Sequence, residues 1–92
     1  MYHSHYYSGT TSVADNHTHN YRGVTSLAPS GVPHTHYIVG YTTYADGHRH
    51  YYLIQTGLDY PTVGGHTHYI MGITYISDRH YHYINNFTSV TP

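Results

Sequence analysis

The chain has 92 residues, a formal net charge of −1 at pH 7 and no cysteine. With three cationic and four acidic residues, its composition argues against nucleic acid as a partner and against catalysis by paired carboxylates. No apolar run approaches the roughly 20 residues of a membrane-spanning helix, and the lack of cysteine excludes disulfides and thiolate metal sites.

The composition predicts one ordered domain over residues 1–92 with a thin apolar core. Leu, Ile, Val and Phe supply only 16 residues, whereas Tyr, Thr, His and Gly make up more than half of the chain. A near-zero net charge with 16% aromatic residues is opposite to the composition of disordered chains. A core of this size usually requires a metal ion or a partner subunit for stability.

Histidine defines the main repeat of the sequence. All 12 histidines fall in six His-x-His pairs, whose first members are 14, 17, 14, 18 and 14 residues apart. The alternation of short and long spacings defines a double unit that occurs three times, over residues 3–33, 34–65 and 66–92. The six pairs are His3/His5, His17/His19, His34/His36, His48/His50, His66/His68 and His80/His82.

Other positions repeat together with the histidines. Counting from the first histidine of each pair, position +4 is Tyr or Ile and position +6 is Gly in four of the six units. Because the repeated positions are even-numbered, each unit predicts one β-strand of about 11 residues, which makes the fold all-β. The frequent aromatic and β-branched residues argue against helices. Position +8 is threonine in every unit: Thr11, Thr25, Thr42, Thr56, Thr74 and Thr88.

In chain order, the units predict three β-hairpins in series. The first turns at Asp15, the second at Asp46 and the third at Asp78, in links typical of three-residue hairpin loops. Counting back from the first turn places Tyr21 opposite Gly9, and an aromatic ring that covers a cross-strand glycine stabilises a sheet. The longer links between hairpins contain prolines and glycines and predict looser turns.

Two architectures fit these strands. An antiparallel meander or six-stranded barrel would gather the histidines of odd-numbered units at one end and those of even-numbered units at the other. A β-solenoid would instead stack equivalent histidines about 4.8 Å apart and leave its edges open for fibre growth. The hairpin-like turns favour the antiparallel arrangement. Its first group would be His3, His34 and His66 beside His5, His36 and His68, and its second His17, His48 and His80 beside His19, His50 and His82.

The histidine pairs predict transition-metal binding. Two histidines at positions i and i+2 of a strand point to the same face, so their imidazoles can converge on one ion. Imidazole suits Zn, Cu, Ni and Fe, and we expect Zn, Cu or Ni with all 12 histidines as candidate ligands. The alternative is that each histidine is a structural strand residue, stacked with tyrosine and hydrogen-bonded to the threonine at position +8.

Two further sets of residues allow a structural and a functional interpretation. Asp15, Asp46 and Asp78 each stand two residues before a histidine pair. They are turn formers in the simpler interpretation and partners of imidazole N–H groups in the other. The tyrosines at position +3 are expected to serve packing or contact between subunits rather than redox chemistry: Tyr6, Tyr37, Tyr51, Tyr69 and Tyr83.

The repeated His-Thr-His and His-Arg-His segments, including Asp-Gly-His-Arg-His at residues 46–50, resemble the YmaF family of small bacterial histidine-repeat proteins. In this sequence a Gly-x-Thr stretch follows most of these segments. The resemblance implies a bacterial source and metal binding. It supplies no catalytic residues.

We therefore expect a non-enzymatic structural protein that self-assembles into a filament or ring, stabilised by metal ions bound to its histidine clusters. Its partners would be metal ions and copies of itself, at an extracellular, cell-surface or spore-surface location. A soluble metal-buffering module is the first alternative, and a metalloenzyme with tris-histidine sites is the second. Protonation of every histidine would change the formal charge from −1 to +11, so we expect the assembly to dissociate in mild acid.

Overall fold

The computed structural model of the chain describes residues 1–92 and is all-β, as the sequence predicts, with no helix. Consequently no helix is long and apolar enough to cross a membrane. The strands are short, and the predicted length of about 11 residues per unit is wrong. They are β1 (Tyr2–His3), β2 (Tyr6–Thr10), β3 (Asn20–Val24), β4 (Ala28–Pro29), β5 (Tyr37–Tyr41), β6 (Tyr51–Gln55), β7 (Asp59–Thr62), β8 (Gly65–Ile73) and β9 (Tyr83–Phe87).

Three antiparallel hairpins form the body of the protein: β2 with β3, β5 with β6, and β8 with β9. The predicted pairing of Gly9 with Tyr21 is confirmed. The hairpin loops contain two residues rather than the expected three, since Ala14 pairs with His17 across the first turn. Both residues inside each loop have positive φ, as a type I′ turn requires: Asp15 and Asn16, Asp46 and Gly47, and Asp78 and Arg79.

A one-residue bulge explains why the strands are short. In the first hairpin, the register Thr10↔Asn20 changes by one residue before the pair Ala14↔His17, so the first strand carries one extra residue. The same shift separates Tyr41↔Tyr51 from the bridge at the second turn, Ala45↔His48. The regular ladder therefore stops at each bulge.

The backbone groups freed at the bulges join neighbouring hairpins. Ser12 N–H donates to the Tyr83 carbonyl, which links the first hairpin to the third, and Ser26 N–H donates to the Tyr37 carbonyl, which links the first to the second. The second and third hairpins meet through Tyr75 N–H, which donates to the Tyr51 carbonyl. The three hairpins thus form a ring joined at its ends, with no closed barrel and no solenoid. The long link before the third hairpin was expected to be a loose turn, but β7 pairs with β8 in a further hairpin.

The apolar core lies inside this ring and is small. The aromatic side chain of Tyr7 lies over the backbone of Gly23 on the opposite strand. Only glycine fits there, because a Cβ at this position would lie 2.6 Å from the Tyr7 hydroxyl oxygen. The molecule extends 42 × 20 × 16 Å, so layers of side chains follow one another along its long axis. The core consists of the six residues at position +4 and one more isoleucine: Tyr7, Tyr21, Ile38, Tyr52, Ile70, Ile84 and Ile54.

Candidate metal centres

The 12 histidines form two clusters, grouped as antiparallel hairpins predict. Within each cluster, six ligand nitrogens lie within 4.8 Å of one another. The turn-end cluster lies beside the three tight turns and contains His17, His19, His48, His50, His80 and His82. The terminus-end cluster lies beside β1, β4 and the bridge His66↔Thr91, and it contains His3, His5, His34, His36, His66 and His68.

Each cluster has an inner and an outer layer of three imidazoles, one from each double unit. The inner layer is the second histidine of each pair, and these six side chains are 0–1% exposed. The outer layer is the first histidine of each pair, and its members are half-buried except for His34, which is buried. A bound ion would therefore be enclosed on the side that faces the core.

The Nδ1 atom of every inner histidine donates to a backbone carbonyl of another hairpin. A carbonyl oxygen can only accept, so the proton of the neutral imidazole sits on Nδ1 and the Nε2 lone pair is free. This is the tautomer that a metal ion requires of an Nε2 ligand. The acceptors are the carbonyls of Ser89 for His5, Thr43 for His19, Ser26 for His36, Tyr75 for His50, Gly57 for His68 and Ser12 for His82, at 2.7–2.9 Å.

The threonine at position +8 holds the backbone of the inner histidine. In the first hairpin, His19 N–H donates to Thr11 Oγ1 at 3.0 Å, and Thr11 N–H donates to the His19 carbonyl at 2.8 Å. The Thr11 hydroxyl in turn donates to the Ser12 carbonyl, the group that also accepts from His82 Nδ1. The same backbone-to-hydroxyl bond recurs in all six units. The expected contact between a repeated threonine and an imidazole ring occurs once, between Thr25 Oγ1 and His36 Nδ1 at 3.3 Å. The backbone support is the bond common to all six units, and it explains the sixfold repetition of threonine.

Nε2 atoms from different hairpins meet inside each cluster. In the turn-end cluster, the outer Nε2 atoms of His17, His48 and His80 form a triangle with sides of 3.1–3.2 Å. In the terminus-end cluster, His66 Nε2 lies 3.0 Å from that of His3 and 3.2 Å from that of His34. No hydrogen-bond partner reaches three deeply buried inner atoms, the Nε2 of His5, His36 and His82.

The aspartates of the tight turns act in both ways considered for them. Asp15 and its counterparts adopt positive φ in the turns, and their backbone carbonyls accept from the Nδ1 of the outer histidine two residues later at 3.0–3.2 Å. Each carboxylate approaches the outer histidine of a different hairpin. The aspartate Oδ2 lies 3.5 Å from the histidine Nδ1 in the pairs Asp46–His17 and Asp78–His48, and 3.8 Å from it in the pair Asp15–His80.

Burial lowers the pKa of the inner histidines. Desolvation is the main cause, and neighbouring imidazoles add to it, whereas the bond to a carbonyl acts in the opposite direction. The pKa is lowered to about 4 for His5, His50 and His68. It is also lowered for His19, His36 and His82. The inner imidazoles are therefore neutral near pH 7 and free to act as ligands.

The sequence predicted which histidines lie together, but it did not predict the groups that orient their rings. The carbonyls at Ser12, Ser26 and Thr43 belong to residues that differ from unit to unit, because the backbone alone supplies the acceptor. Their shared position one residue after the repeated threonine was the available signal. The tyrosine stripe at position +3 faces outward, half-buried or exposed, and does not contribute to either cluster.

Fold and site together define a repetitive all-β protein with two six-histidine clusters, each able to hold a metal ion. The family described as spore germination protein GerY/YamF (YmaF) matches residues 1–58. The chain belongs to this family, as the sequence resemblance indicated. No curated protein and no solved structure matches the chain.

Proposed function

We propose that the protein is a non-enzymatic structural protein whose two histidine clusters bind transition-metal ions that hold its three hairpins together. One observation carries the proposal. The Nδ1 of each inner histidine is bonded to a carbonyl, so its Nε2 lone pair is available inside a cluster that draws on all three hairpins.

Metal binding would supply the stability that the apolar core lacks. The core contains seven residues, and regular ladders do not continue between the hairpins of the ring. Each cluster takes one histidine pair from each double unit, so an ion bound there cross-links the whole ring. Small domains commonly depend on such a structural metal, and the binding free energy then adds to the stability of the folded state.

Thermal unfolding before and after chelation tests this function. We expect the melting temperature to fall by at least about 10 °C when a chelator removes the metal, because each site filled at 100 times its Kd adds about 2.7 kcal/mol. Adding back the native metal should restore the original value. A melting temperature that neither chelation nor metal addition changes would contradict the proposal.

The outer surface favours self-assembly as the setting of this structural role. Large apolar and aromatic side chains are exposed on every hairpin, which is unusual for a soluble monomer. The partner that this surface fits is a second copy of the chain, in a filament or ring. The exposed residues include Tyr6, Val24, Tyr37, Val39, Tyr41, Leu53, Met71, Tyr83 and Phe87.

Electron microscopy of the metal-loaded protein separates this proposal from a soluble metal buffer. Polymers or rings are expected for the assembling protein, and dispersed monomers would favour the buffer. The family's description as a spore germination protein supports a location at the spore or cell surface, which immunogold labelling of spores would test. A metalloenzyme would need an open ligand position, and the enclosed inner layers favour a structural site instead.

A further inference from the structure

We propose that each cluster binds one divalent ion through all six of its Nε2 atoms, in octahedral geometry, and so prefers Ni²⁺, Co²⁺ or Fe²⁺ over Zn²⁺ and Cu²⁺. This inference rests on the proposed metal-binding function and deepens it. It fixes the stoichiometry at two ions per chain and makes all 12 histidines ligands.

The arrangement of the rings is the first argument. In the turn-end cluster, neighbouring imidazoles meet edge to face with ring centroids 4.7–5.0 Å apart. Each ring meets all the others except one, which lies across the centre, and this is the relation among the six corners of an octahedron. The opposite pairs are His17 with His50, His48 with His82 and His80 with His19.

The terminus-end cluster repeats this arrangement with different residues. Its neighbouring rings have centroids 4.4–5.2 Å apart, and each ring again lacks contact with one other ring. The two clusters thus share one ligand geometry, although tight turns connect the strands at one end and longer links connect them at the other. The opposite pairs are His3 with His68, His5 with His34 and His36 with His66.

The nitrogen distances are the second argument. Nine pairs of adjacent Nε2 atoms in the two clusters are 3.0–3.3 Å apart. An octahedron with edges of this length has its centre about 2.1–2.3 Å from each corner, close to the metal–imidazole bond of about 2.0–2.1 Å. The diagonal of such an octahedron is about 4.2–4.7 Å. All six ligand nitrogens of each cluster lie within 4.8 Å of one another, so their spread matches one ion at the centre.

Lone-pair electrostatics is the third argument. The inner imidazoles cannot turn away, because their Nδ1 protons are committed to carbonyls at 2.7–2.9 Å. Their buried Nε2 lone pairs then repel one another unless a cation or a proton lies between them, and those of His5, His36 and His82 have no other partner. A central cation satisfies all of them together.

Metal preference follows from the ligand number. Structural Zn²⁺ is almost always tetrahedral with four ligands, so it would leave two imidazoles of each cluster without a partner. Cu²⁺ favours a tetragonal arrangement with bonds of unequal length, whereas the measured Nε2 distances of 3.0–3.3 Å are nearly uniform. Ni²⁺, Co²⁺ and Fe²⁺ accept six nitrogen ligands, and Ni²⁺ binds most tightly of the three in the usual order of affinities.

Titration of the chelator-stripped protein with Co²⁺ tests the inference. We expect two ions per chain and the weak visible absorption of six-coordinate Co²⁺, with six nitrogen neighbours in X-ray absorption of the Ni²⁺ form. Intense tetrahedral absorption, or clearly more than two ions per chain, would overturn the inference while the metal-binding function stands. Failure to bind Co²⁺, Ni²⁺ and Zn²⁺ alike would overturn both.

Single His→Ala variants of the turn-end cluster provide the second measurement, with the intact terminus-end cluster as the internal reference. If all six imidazoles bind one ion, each variant lowers Ni²⁺ affinity at that cluster by more than about 10-fold. A four-ligand site would leave two of the variants unchanged. The variants of His17, His48 and His80 are the most informative, because these outer side chains are half-buried and their loss disturbs packing least.

Discussion

The two histidine clusters contain the same ligands but are held by different structures. At the turn end, three equivalent type I′ turns place an aspartate carbonyl 3.0–3.2 Å from the Nδ1 of each outer histidine. At the terminus end, His3 Nδ1 pairs with Ser30 Oγ and His34 Nδ1 donates to the Val32 carbonyl, so the outer layer has no common support. Threefold repetition of the turn has therefore produced one regular site, and longer links have produced an irregular one.

Charge adds to this difference. Three carboxylates lie 3.5–3.8 Å from the outer layer at the turn end. At the terminus end the Asp59 carboxylate accepts instead from the backbone N–H of His34, at 3.3 Å. Negative charge near a cation and ordered partners for its ligands both raise metal affinity. We therefore expect the turn-end cluster to bind its ion first and more tightly.

Removal of one outer layer at a time should produce the largest difference in stability between the two clusters. The triple variant His17→Ala, His48→Ala, His80→Ala should bind one ion fewer and melt about 10 °C or more below the wild type in the presence of metal. The matched variant His3→Ala, His34→Ala, His66→Ala should lose less stability, because its site is the weaker one. Calorimetric melting with metal counting checks both, and equal losses would contradict the predicted order.

Acid should destabilise the metal-free protein through the inner layers of both clusters. The pKa of His5, His50 and His68 is about 4 in the folded state, below the value of 6.5 for an unperturbed histidine. Between these values the unfolded chain binds more protons, so stability falls as the pH drops from about 6.5 towards about 4. Urea unfolding at pH 7.5, 6 and 5 measures this slope. A free energy of unfolding that does not change over this interval would contradict the buried, neutral state of these imidazoles.

Replacement of the repeated threonine should affect the two ends equally. Thr11 supports an inner histidine at the turn end, and Thr25 supports one at the terminus end. The variants Thr11→Val and Thr25→Val each remove the hydroxyl that accepts from that histidine's backbone N–H at 3.0 Å. Each should lower the free energy of unfolding by about 1–3 kcal/mol, the cost of a buried polar group left unpaired. Thr10→Val, at an exposed strand position, is the control. Unequal losses at the two ends would show that threonine has different roles there.

The smallest effect is expected from the turn aspartates. Asparagine tolerates positive φ, so the triple variant Asp15→Asn, Asp46→Asn, Asp78→Asn keeps the turns and removes three negative charges. These carboxylates are 61–64% exposed, and we expect Ni²⁺ affinity at the turn end to fall by about 10-fold or less. Isothermal titration against Asp59→Asn, which lies at the other end, distinguishes the two sites. An unchanged turn-end affinity would assign these aspartates to turn formation alone.

The sequence predicted the grouping of the histidines because strand periodicity and tight turns leave little freedom. Even spacing puts both members of a pair on one face, and a hairpin reverses direction between His3 and His17. The pairing of Gly9 with Tyr21 followed from the same counting and is confirmed.

Strand length and the supports of the clusters could not be predicted in this way. The bulge near Ser12 shortens each strand of its hairpin, and the residue after the repeated threonine differs between units, since only its backbone groups bond to another hairpin. Ring closure likewise depends on contacts such as that of Ser89 N–H with the Tyr6 carbonyl, which are distant in sequence. The turn at Val63 and Gly64, which makes β7 and β8 a hairpin, carries none of the aspartates that marked the other turns.

Elemental analysis of natively purified protein, never exposed to chelator, is the decisive test of metal binding by the two clusters. We expect two transition-metal ions per chain, with nickel, cobalt or iron as the element. Metal at background level in correctly folded protein would contradict this expectation and leave the histidines as a structural layer between the hairpins.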